Sequence, residues 1–468
     1  MRIVVKLGGT SVASLEGINR ACNLIVKMRK EENDVVVVVS ALAGVTNRLL
    51  EVSEMARRGK RDFLKKFISE IRSYHENVYI KAVKNEKAQG EVRKAVNKTL
   101  KELENTLVGV ASLRELTPRV KDLSVACGET MSAPILAGAL RSRGITAQSF
   151  TGKEVGIVTD SNFGSARPLM QLTMHQVSSK LIQLLEKKVI PVVTGFIAAD
   201  QHGEVTTLGR GGSDYTATIL GSAIKADEIW ILTDVDGIMT TDPKIESTVK
   251  TIPQVSYQEA LEMAYFGAKR IHPRALEPGM DAAIPIRIRN SFNPKNLGTL
   301  ITNEQRVEKG SIVKAITLIR TVATVTVSGT AMAGKPGVAA KLFSLLAEKN
   351  VNVLMISQAS SEVNISFVIL RDTVDDIINT LDMNLLGGDF AQDIKTETDV
   401  CIIALVGAGM RGTPGIAARI FNAVGKKNIN IRMIAQGSSE LNVSFVVKET
   451  DGEAAVRVLH KEFNLGKR

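Results

Sequence analysis

A chain of 468 residues with 44% hydrophobic residues is too long for a single core and typical of a globular protein, so we expect two to four domains. The net charge of +11 would suit a nucleic-acid binder, but aromatic residues are only 4% and basic residues mostly alternate with acidic ones. This pattern argues against nucleic acid and favours attraction of small anions. No run approaches the ~20 apolar residues of a membrane span.

Cysteine and histidine are sparse and scattered. The three cysteines and five histidines show neither Cys-x-x-Cys spacing nor a ligand cluster. We therefore expect no disulfide framework and no protein-built metal site. The chain enters a strand-like run directly after Met1, with no signal peptide before it, so we expect a cytoplasmic protein.

Short apolar runs alternate with helix-period segments over residues 1–303. The runs lie at residues 3–7, 35–39, 156–159, 189–194, 229–233 and 284–288. Continuously apolar strands are buried on both faces, which predicts a mostly parallel sheet between helical layers. Residues 51–116 are charged and helix-rich and are predicted to form a helical lobe. Ligands of such sheets bind beyond the carboxyl ends of the strands.

The first motif follows the first strand and reads Lys6-Leu7-Gly8-Gly9-Thr10-Ser11. A lysine is a mobile point charge for phosphate oxygens, and paired glycines expose backbone N–H groups to them. A simple turn at the end of a strand is the alternative interpretation. The chain contains no Gly-x-x-x-x-Gly-Lys-Ser/Thr sequence, so a P-loop is excluded.

The most informative motif reads Thr-Thr-Leu-Gly-Arg-Gly-Gly-Ser-Asp at residues 206–214. Arg210 offers a planar fork of donors that suits a carboxylate or a phosphate. Ser213 is expected to cap the following helix and to donate to a ligand oxygen, and Asp214 can orient a cation. A glycine-rich turn capped by Ser-Asp is the structural alternative.

An internal repeat occupies the second half of the chain. Residues 329–369 and 407–447 align without a gap, and 21 of the 41 positions are identical. Each copy has the order of elements of a ferredoxin-like βαββαβ unit. The second copy ends too early for its closing strand, so residues 311–318 are predicted to supply it. We therefore expect one domain at 319–398 and another at 399–468 plus 311–318.

Taken together, three motifs resemble those of the aspartate kinases of the amino acid kinase family. They are Lys-x-Gly-Gly-Thr-Ser, Gly-Arg-Gly-Gly-Ser-Asp and the Phe-Gly-Ala-Lys of residues 266–269. The repeats are similar to ACT domains, the amino-acid-sensing modules of such enzymes. The resemblance implies an α/β fold, with a three-layer αβα, carbamate kinase-like catalytic domain followed by two ACT domains.

The implied reaction transfers the γ-phosphoryl group of ATP, accompanied by Mg²⁺, to the β-carboxylate of L-aspartate. A carboxylate with a pKa of about 3.9 is already ionised at neutral pH, so no general base is required. Catalysis then depends on positioning and on charge neutralisation. The resemblance assigns catalysis to Lys6 and Asp214. It assigns aspartate binding to residues at five positions: Ser40, Thr46, Glu129, Arg210 and Ser213.

On the nucleotide side, the resemblance implies contacts from Lys6 and from a set of glycine, polar and basic positions: Gly8, Gly9, Thr233, Asp234, Met239, Lys244 and Lys269. Two of these depart from the family pattern. Met239 stands where tyrosine is frequent, and Lys244 replaces an arginine fork by a point charge. We expect these departures to alter ATP affinity rather than to abolish activity.

Equivalent amides in the two ACT-like copies are the expected effector-binding residues. They are Gln358 and Asn364 in the first copy and Gln436 and Asn442 in the second. Edge pairing between units is the alternative role. Glutamine there resembles threonine-sensitive members, so threonine is the expected effector, and a homodimer or larger homo-oligomer is expected through the ACT domains. Another acyl kinase and a non-catalytic amino-acid sensor are the competing functions.

Overall fold

The computed structural model describes residues 1–267, 271–306, 312–386 and 390–467. The chain divides into two compact units, and neither is one continuous segment. Unit one comprises Met1–Ile238, Pro253–Tyr257 and Arg270–Glu304, and unit two comprises Met239–Ile252, Gln258–Lys269 and Gln305–Arg468. A single boundary near residue 303 therefore does not describe the packing, because two short earlier segments belong to unit two.

The strands of unit one form two sheets. In chain order they are β1 (Arg2–Leu7), β2 (Asp34–Val39), β3 (Ala147–Phe150), β4 (Val158–Thr159), β5 (Ile190–Thr194), β6 (Ile197–Asp200), β7 (Val205–Thr207), β8 (Glu228–Thr233), β9 (Gln254–Ser256), β10 (Ile286–Asn290) and β11 (Thr299–Thr302). The main sheet has the order β3-β5-β2-β1-β8-β10-β11-β9, and β4, β6 and β7 form a smaller one.

The main sheet is parallel except where β10 meets β11. This agrees with the predicted buried parallel sheet, and residues 35–39 of β2 are no more than 1% exposed. The predicted run at 156–159 is different: only β4 is a strand there, and it pairs with β6 in the smaller sheet. Because β1, β2 and β8 run in the same direction side by side, the residues after them emerge at one edge.

Helices cover the sheet and build the predicted lobe. They are α1 (Leu15–Lys30), α2 (Val45–Arg57), α3 (Arg61–Ala82), α4 (Glu86–Leu113), α5 (Pro118–Arg141), α6 (Gly152–Val155), α7 (Met170–Glu186), α8 (Gly212–Ala223), α9 (Tyr257–Tyr265) and α10 (Pro273–Asp281). The α9 helix lies almost wholly within unit two. Helices α2 to α4 occupy the segment predicted to be helical.

Helix α5 is the central helix of unit one. It starts where the Thr117 side chain accepts a hydrogen bond from the Val120 N–H at 3.3 Å, followed by Pro118 in the first turn. Among the described residues, α5 is the one helix long and apolar enough to cross a membrane, but 83% of its apolar window is buried inside the protein. A buried core helix passes the same test, so this is weak evidence for a membrane span.

Unit two is built on one antiparallel sheet. Its strands are β12 (Ala315–Ser328), β13 (Met355–Gln358), β14 (Asn364–Leu370), β15 (Asp393–Val406), β16 (Ile431–Gln436) and β17 (Asn442–Lys448), in the order β13-β14-β12-β15-β17-β16. Its helices, besides α9, are α11 (Val338–Glu348), α12 (Val374–Leu381), α13 (Ile416–Gly425) and α14 (Gly452–Glu462).

Two long strands carry both repeat copies. The first part of β12, Ala315 to Ile319, pairs with Val406 to Ile402 of β15, and its last part, to Ser328, pairs with the start of β15 at Asp393. The start of β12, which leads into the first copy, thus pairs with the second copy. The start of β15, which leads into the second copy, pairs with the first. Of residues 311–318, which are predicted to close the second copy, Ala315 to Leu318 lie in this ladder, and residue 311 lies outside the described residues.

Two segments of unit two, Met239–Ile252 and Gln258–Lys269, precede its sheet in sequence and contact it through buried polar groups. The Lys314 ammonium lies 2.8 Å from the Glu259 carboxylate, with side-chain exposures of 7% and 0%. The second oxygen of Glu259 accepts the Ala408 N–H at 2.7 Å. Thr240 contacts His460 at 3.0 Å, and its carbonyl accepts the Ile316 N–H at 2.8 Å. Residues 239–252 and α9 therefore pack as parts of the ACT-like unit.

Candidate active site

A cavity of about 420 Å³ opens in unit one at the carboxyl edge of the main sheet. Eight of the residues predicted to bind substrates line it: Lys6, Gly9, Ser40, Thr46, Glu129, Arg210, Ser213 and Asp214. They come from four separate stretches of sequence. The parallel sheet brings the first two stretches together, because β1 and β2 are neighbours whose ends share one edge. Glu129 projects from α5, and residues 210–214 follow β7 of the smaller sheet.

Lys6 and Asp214 form an ion pair at the base of this cavity. Their charged atoms, Nζ and Oδ1, are 2.6 Å apart, and each side chain is 12% exposed. Lys6 lies on β1, whose partners across the sheet are Val38 and Ile231, so its backbone is fixed on both sides. Asp214 lies in the first turn of α8. The ammonium group is thus held at one place instead of moving freely on its four-carbon stem.

The loop between β7 and α8 presents Arg210 to the cavity. Gly209 and Gly211 on either side adopt φ values of +74° and +73°, a conformation that favours glycine. A Cβ on Gly211 would lie 2.4 Å from that of His272, so no side chain fits there. The expectation that Ser213 caps α8 is wrong: Gly211 is the N-cap residue, and Ser213 lies inside the first turn.

Glu129 is the buried carboxylate of the cavity. It projects from α5 and is 4% exposed. Burial raises the pKa of its carboxyl group to about 7, against hydrogen bonds from the backbone N–H groups of Ala41 and Glu129, which lower the pKa. In the described part of the chain its Oε2 atom has no hydrogen-bond partner. A buried carboxylate oxygen without a partner at the wall of a cavity is suited to a cationic ligand group.

Ser40 and Thr46 flank the turn that follows β2. The Ser40 N–H donates to the Leu7 carbonyl at 3.2 Å, and the Ser40 carbonyl accepts the Ser132 hydroxyl of α5 at 2.8 Å. The backbone of Ser40 therefore has a structural role at the end of β2, and Ser40 also lines the cavity. Thr46 lies in the first turn of α2, after Gly44 at φ +77°.

The predicted nucleotide-binding residues are distributed over both units. The Gly8 N–H donates to Leu232 at 3.3 Å, so the turn after β1 is tied to the end of β8, where Thr233 and Asp234 follow. The Thr233 hydroxyl donates to Asp234 at 3.1 Å. Met239 and Lys244 belong to unit two. Lys269 lies outside the described residues.

A second cavity, of about 390 Å³, lies in the first ACT-like copy beside the start of α11. Gln358 lines it together with Lys335 and Glu362, and Glu362 accepts the Gly334 N–H at 2.9 Å. Asn364 is not among its lining residues and starts β14 opposite Ser328.

The equivalent amides of the second copy have other surroundings. The Asn442 amide donates to the Glu262 carboxylate of α9 at 3.1 Å, and its oxygen accepts the Ser444 hydroxyl at 2.9 Å. Gln436 is exposed at the end of β16. The two copies, although similar in sequence, therefore differ in what their amides contact.

The sequence interpretation missed three residues that shape the first cavity. Asn47 and Phe196 are in its wall, and Phe196 has a φ of +69°, which is rare for a residue with a side chain. Gly195 lets the chain pass Ser213, since a Cβ there would lie 2.6 Å from that side chain. A glycine directly after the apolar run of β5 was the sequence signal that could have indicated this close approach. Asp122, which lies outside the cavity, was missed as well.

Comparisons with known proteins agree with this geometry. The amino acid kinase family profile matches residues 1–290, and the ACT domain profile matches residues 325–385 and 403–463. Aspartokinase 1, chloroplastic, of Arabidopsis thaliana is 35% identical over 476 residues, covering 98% of this chain and 80% of that protein.

Two crystal structures of Escherichia coli aspartokinase III are also similar, each at 31% identity. The complex with aspartate and ADP, described as the R-state, has a TM-score of 0.84 and covers 99% of both chains. The complex with lysine and aspartate, described as the T-state, has a TM-score of 0.78 and covers 98% of this chain and 99% of that one.

The chain belongs to the amino acid kinase family. Its tandem ACT domains and its similarity over nearly the whole chain place it with the aspartokinases of that family, which are enzymes. The predicted family resemblance and fold class are confirmed. Cytoplasmic location stays a prediction, because one relative is named chloroplastic.

Proposed function

We propose that the protein is an aspartate kinase that transfers the γ-phosphoryl group of ATP to the β-carboxylate of L-aspartate. The product would be 4-phospho-L-aspartate, the activated start of a route to aspartate-derived amino acids. The observation that carries the proposal is the cavity of unit one, which is lined by Lys6 and Arg210 and by the buried Glu129, whose Oε2 atom has no partner among the described residues. Aspartate has the complementary charges, two carboxylates and one ammonium.

Each end of aspartate has a matching partner in this proposal. Arg210 would bind a carboxylate of the substrate through two parallel N–H donors, with the Ser213 hydroxyl beside it. Glu129 would pair with the ammonium group and so gain the partner that its Oε2 atom lacks. Ser40 and Thr46 would donate to the remaining oxygens. Glutamate is one methylene longer, so its side-chain carboxylate would not lie at the same place when its α-carboxylate and ammonium groups occupy these partners.

Phosphoryl transfer then requires the repulsion between two anions to be reduced. Lys6, fixed by Asp214 at 2.6 Å, would stabilise the charge of the transferring group. The first turn of α8 adds the positive end of a helix dipole at the cavity wall. The β-carboxylate attacks as the anion that it already is, and the γ-phosphorus–oxygen bond to ADP breaks.

Mg²⁺ would accompany ATP and neutralise the charge of its β- and γ-phosphates. Within the described ranges, no group of three or more His, Cys, Asp or Glu residues could hold a metal. The ion would therefore be held mainly by phosphate oxygens, with Asp214 as the nearby carboxylate. This arrangement is usual for Mg²⁺, which keeps several water ligands and binds few protein groups.

The decisive assay is ATP-dependent formation of aspartyl hydroxamate with release of ADP. L-aspartate, L-glutamate and N-acetyl-L-glutamate are compared as substrates, with Lys6→Met as the inactive variant and Lys187→Met, an exposed lysine after α7, as the control. We expect product with aspartate, none with the other two acids, and loss only in Lys6→Met. Product with glutamate alone would identify another acyl kinase. The absence of product with all three acids would favour a non-catalytic amino-acid sensor.

We further propose that an amino acid regulates the enzyme through the first ACT domain, with threonine as the effector. The support is the cavity beside α11, where the Gln358 side chain and the backbone near Gly334 could bind the ammonium and carboxylate groups. A coupling free energy of about 1–3 kcal/mol would suffice for feedback. Activity is measured against threonine, lysine and methionine, and insensitivity to all three would leave the ACT domains structural.

Two further expectations stay part of this proposal. The ACT domains are expected to join chains into a homodimer or a larger homo-oligomer, because exposed edge strands such as β13 and β16 commonly pair between subunits. Sedimentation equilibrium with and without threonine tests this expectation, and a monomer at all concentrations would contradict it. The cellular location is expected to be the cytoplasm.

A further inference from the structure

Asp122 is a buried carboxylate that lies outside the cavity and joins two loops. It is 2% exposed and projects from the second turn of α5. Its Oδ2 atom accepts the N–H groups of Gly164 and Thr207, at 2.8 and 2.9 Å, and its Oδ1 atom accepts the Thr207 hydroxyl at 2.8 Å. Thr207 is the last residue of β7, directly before the loop that carries Arg210.

The second loop bound by Asp122 supports the first. Gly164 and Ser165 approach Gly209 so closely that a Cβ on Gly209 would lie 3.1 Å from the Ser165 hydroxyl and 3.3 Å from the Gly164 carbonyl. Ala166 donates its N–H to the Thr207 carbonyl at 2.9 Å. Asp122 thus fixes the start of the loop that carries Arg210. It also fixes the neighbouring segment, residues 164–166, against which that loop packs.

The same helix also carries Glu129, seven residues further on. Seven residues are nearly two full turns, so the two side chains project from one face of α5, about 10 Å apart along its axis. Gly128 and Ser132 contact the turn after β2: a Cβ on Gly128 would lie 2.8 Å from that of Ala41, and the Ser132 hydroxyl donates to Ser40. Helix α5 therefore carries Glu129, the proposed partner of the ammonium group. Through Asp122 it also contacts the loop of Arg210, the proposed partner of a carboxylate.

We propose that Asp122 is a positioning residue for aspartate, which sets the distance between Arg210 and Glu129 by tying the Arg210 loop to the helix that carries Glu129. The inference rests on the proposed function. Because carboxylate and ammonium groups are a fixed distance apart in an amino acid, their two partners must be held at a matching distance. A loosened Arg210 loop would weaken aspartate binding more than ATP binding.

The test compares the Michaelis constants for aspartate and ATP in four variants of the full chain. Asp122→Ala removes all three hydrogen bonds, and Thr207→Val removes only that of the hydroxyl. Asp122→Asn is the conservative variant, since its amide oxygen can accept both N–H groups while its NH₂ group faces the Thr207 hydroxyl. Asp200→Asn is the matched control: this 5% exposed carboxylate of β6 accepts the N–H groups of His202 and Glu204 and the Ser161 hydroxyl.

We expect Asp122→Ala to raise the aspartate KM about tenfold or more, the effect of losing one to two charged hydrogen bonds, with the ATP KM changed less than about twofold. Asp122→Asn should restore most of the aspartate affinity, and Asp200→Asn should lower only the melting temperature. If Asp122→Ala does not fold, Thr207→Val, expected to raise the aspartate KM about threefold, decides the question.

Three results would overturn the positioning role: an unchanged aspartate KM in both Asp122→Ala and Thr207→Val, parallel increases in both Michaelis constants, or an equal effect of Asp200→Asn. Failure of the proposed function is recognised separately, because the wild-type protein would then form no product from aspartate. An active wild-type enzyme with unaffected variants would reject only the role of Asp122.

Discussion

Glu129→Gln should stabilise the protein without substrate and at the same time damage aspartate binding. Burial raises the pKa of Glu129 from 4.5 to about 7, so the folded protein binds this proton more tightly than the unfolded chain does. Stability from this group is complete below about pH 4.5 and is lost as the pH rises toward 7. At pH 8 the ionised carboxylate costs about 3 kcal/mol, which the glutamine variant avoids.

Aspartate binding should strengthen as the pH rises, whereas the stability that Glu129 contributes decreases. Only the ionised carboxylate pairs with the ammonium group, so protons compete with the substrate. For a pKa of about 7, the wild-type aspartate KM should be about tenfold higher at pH 6 than at pH 8. Glu129→Gln leaves the ammonium without an ionic partner in a buried place, which costs ~3–5 kcal/mol and raises the KM at least about a hundredfold.

The assay measures initial ADP release at saturating Mg²⁺ and ATP between pH 6 and 8.5. Urea unfolding of the substrate-free proteins is measured at pH 5 and pH 8. Glu104→Gln, an exposed glutamate of α4, is the control for loss of a negative charge. Glu129 does not bind the ammonium group if Glu129→Gln keeps an aspartate KM within about twofold of the wild type, or if both proteins show the same pH dependence of KM.

Three further changes test other parts of the molecule. Lys6→Met should lower kcat by about 10²–10³ without a loss of circular dichroism at 222 nm, and near-normal turnover would remove its catalytic role. Lys314→Met removes the buried ammonium that lies 2.8 Å from the Glu259 carboxylate and should cost ~3–5 kcal/mol in urea unfolding, with partial recovery when Glu259→Gln is added; two additive losses would contradict this. Gln358→Ala should raise the half-inhibitory threonine concentration about tenfold at unchanged uninhibited kcat, and an unchanged value would exclude this cavity.

The residues of the active site could be predicted because most of them stand beside the ends of strands, within recognisable motifs. Lys6 lies near the end of β1, and Arg210 and Asp214 follow β7. Glu129 was harder, since it lies inside a helix, where only its apolar neighbours in sequence and the family motif indicated a function. The helical lobe and the repeat were readable for a similar reason: their hydrophobic periods are local and long.

Other properties depended on contacts between residues far apart in sequence. Ser213 was expected to cap α8, but Gly211 does so, because the φ of +73° required at that position favours glycine. Residues 239–252 pack in unit two although their sequence continues from β8, because buried contacts such as that of Thr240 with His460 hold them there. No local pattern predicts a partner 220 residues away.

By itself, the sequence determined the parallel sheet, the repeated ACT domains and the set of charged groups that meet at one cavity, because hydrophobic period and strand-end motifs are local signals. Only the tertiary structure decided the protonation behaviour of Glu129, the fixation of Lys6 by Asp214 and the bridging position of Asp122. These properties arise from burial and from distances of about 3 Å between elements, and such distances depend on how the helices and strands pack together.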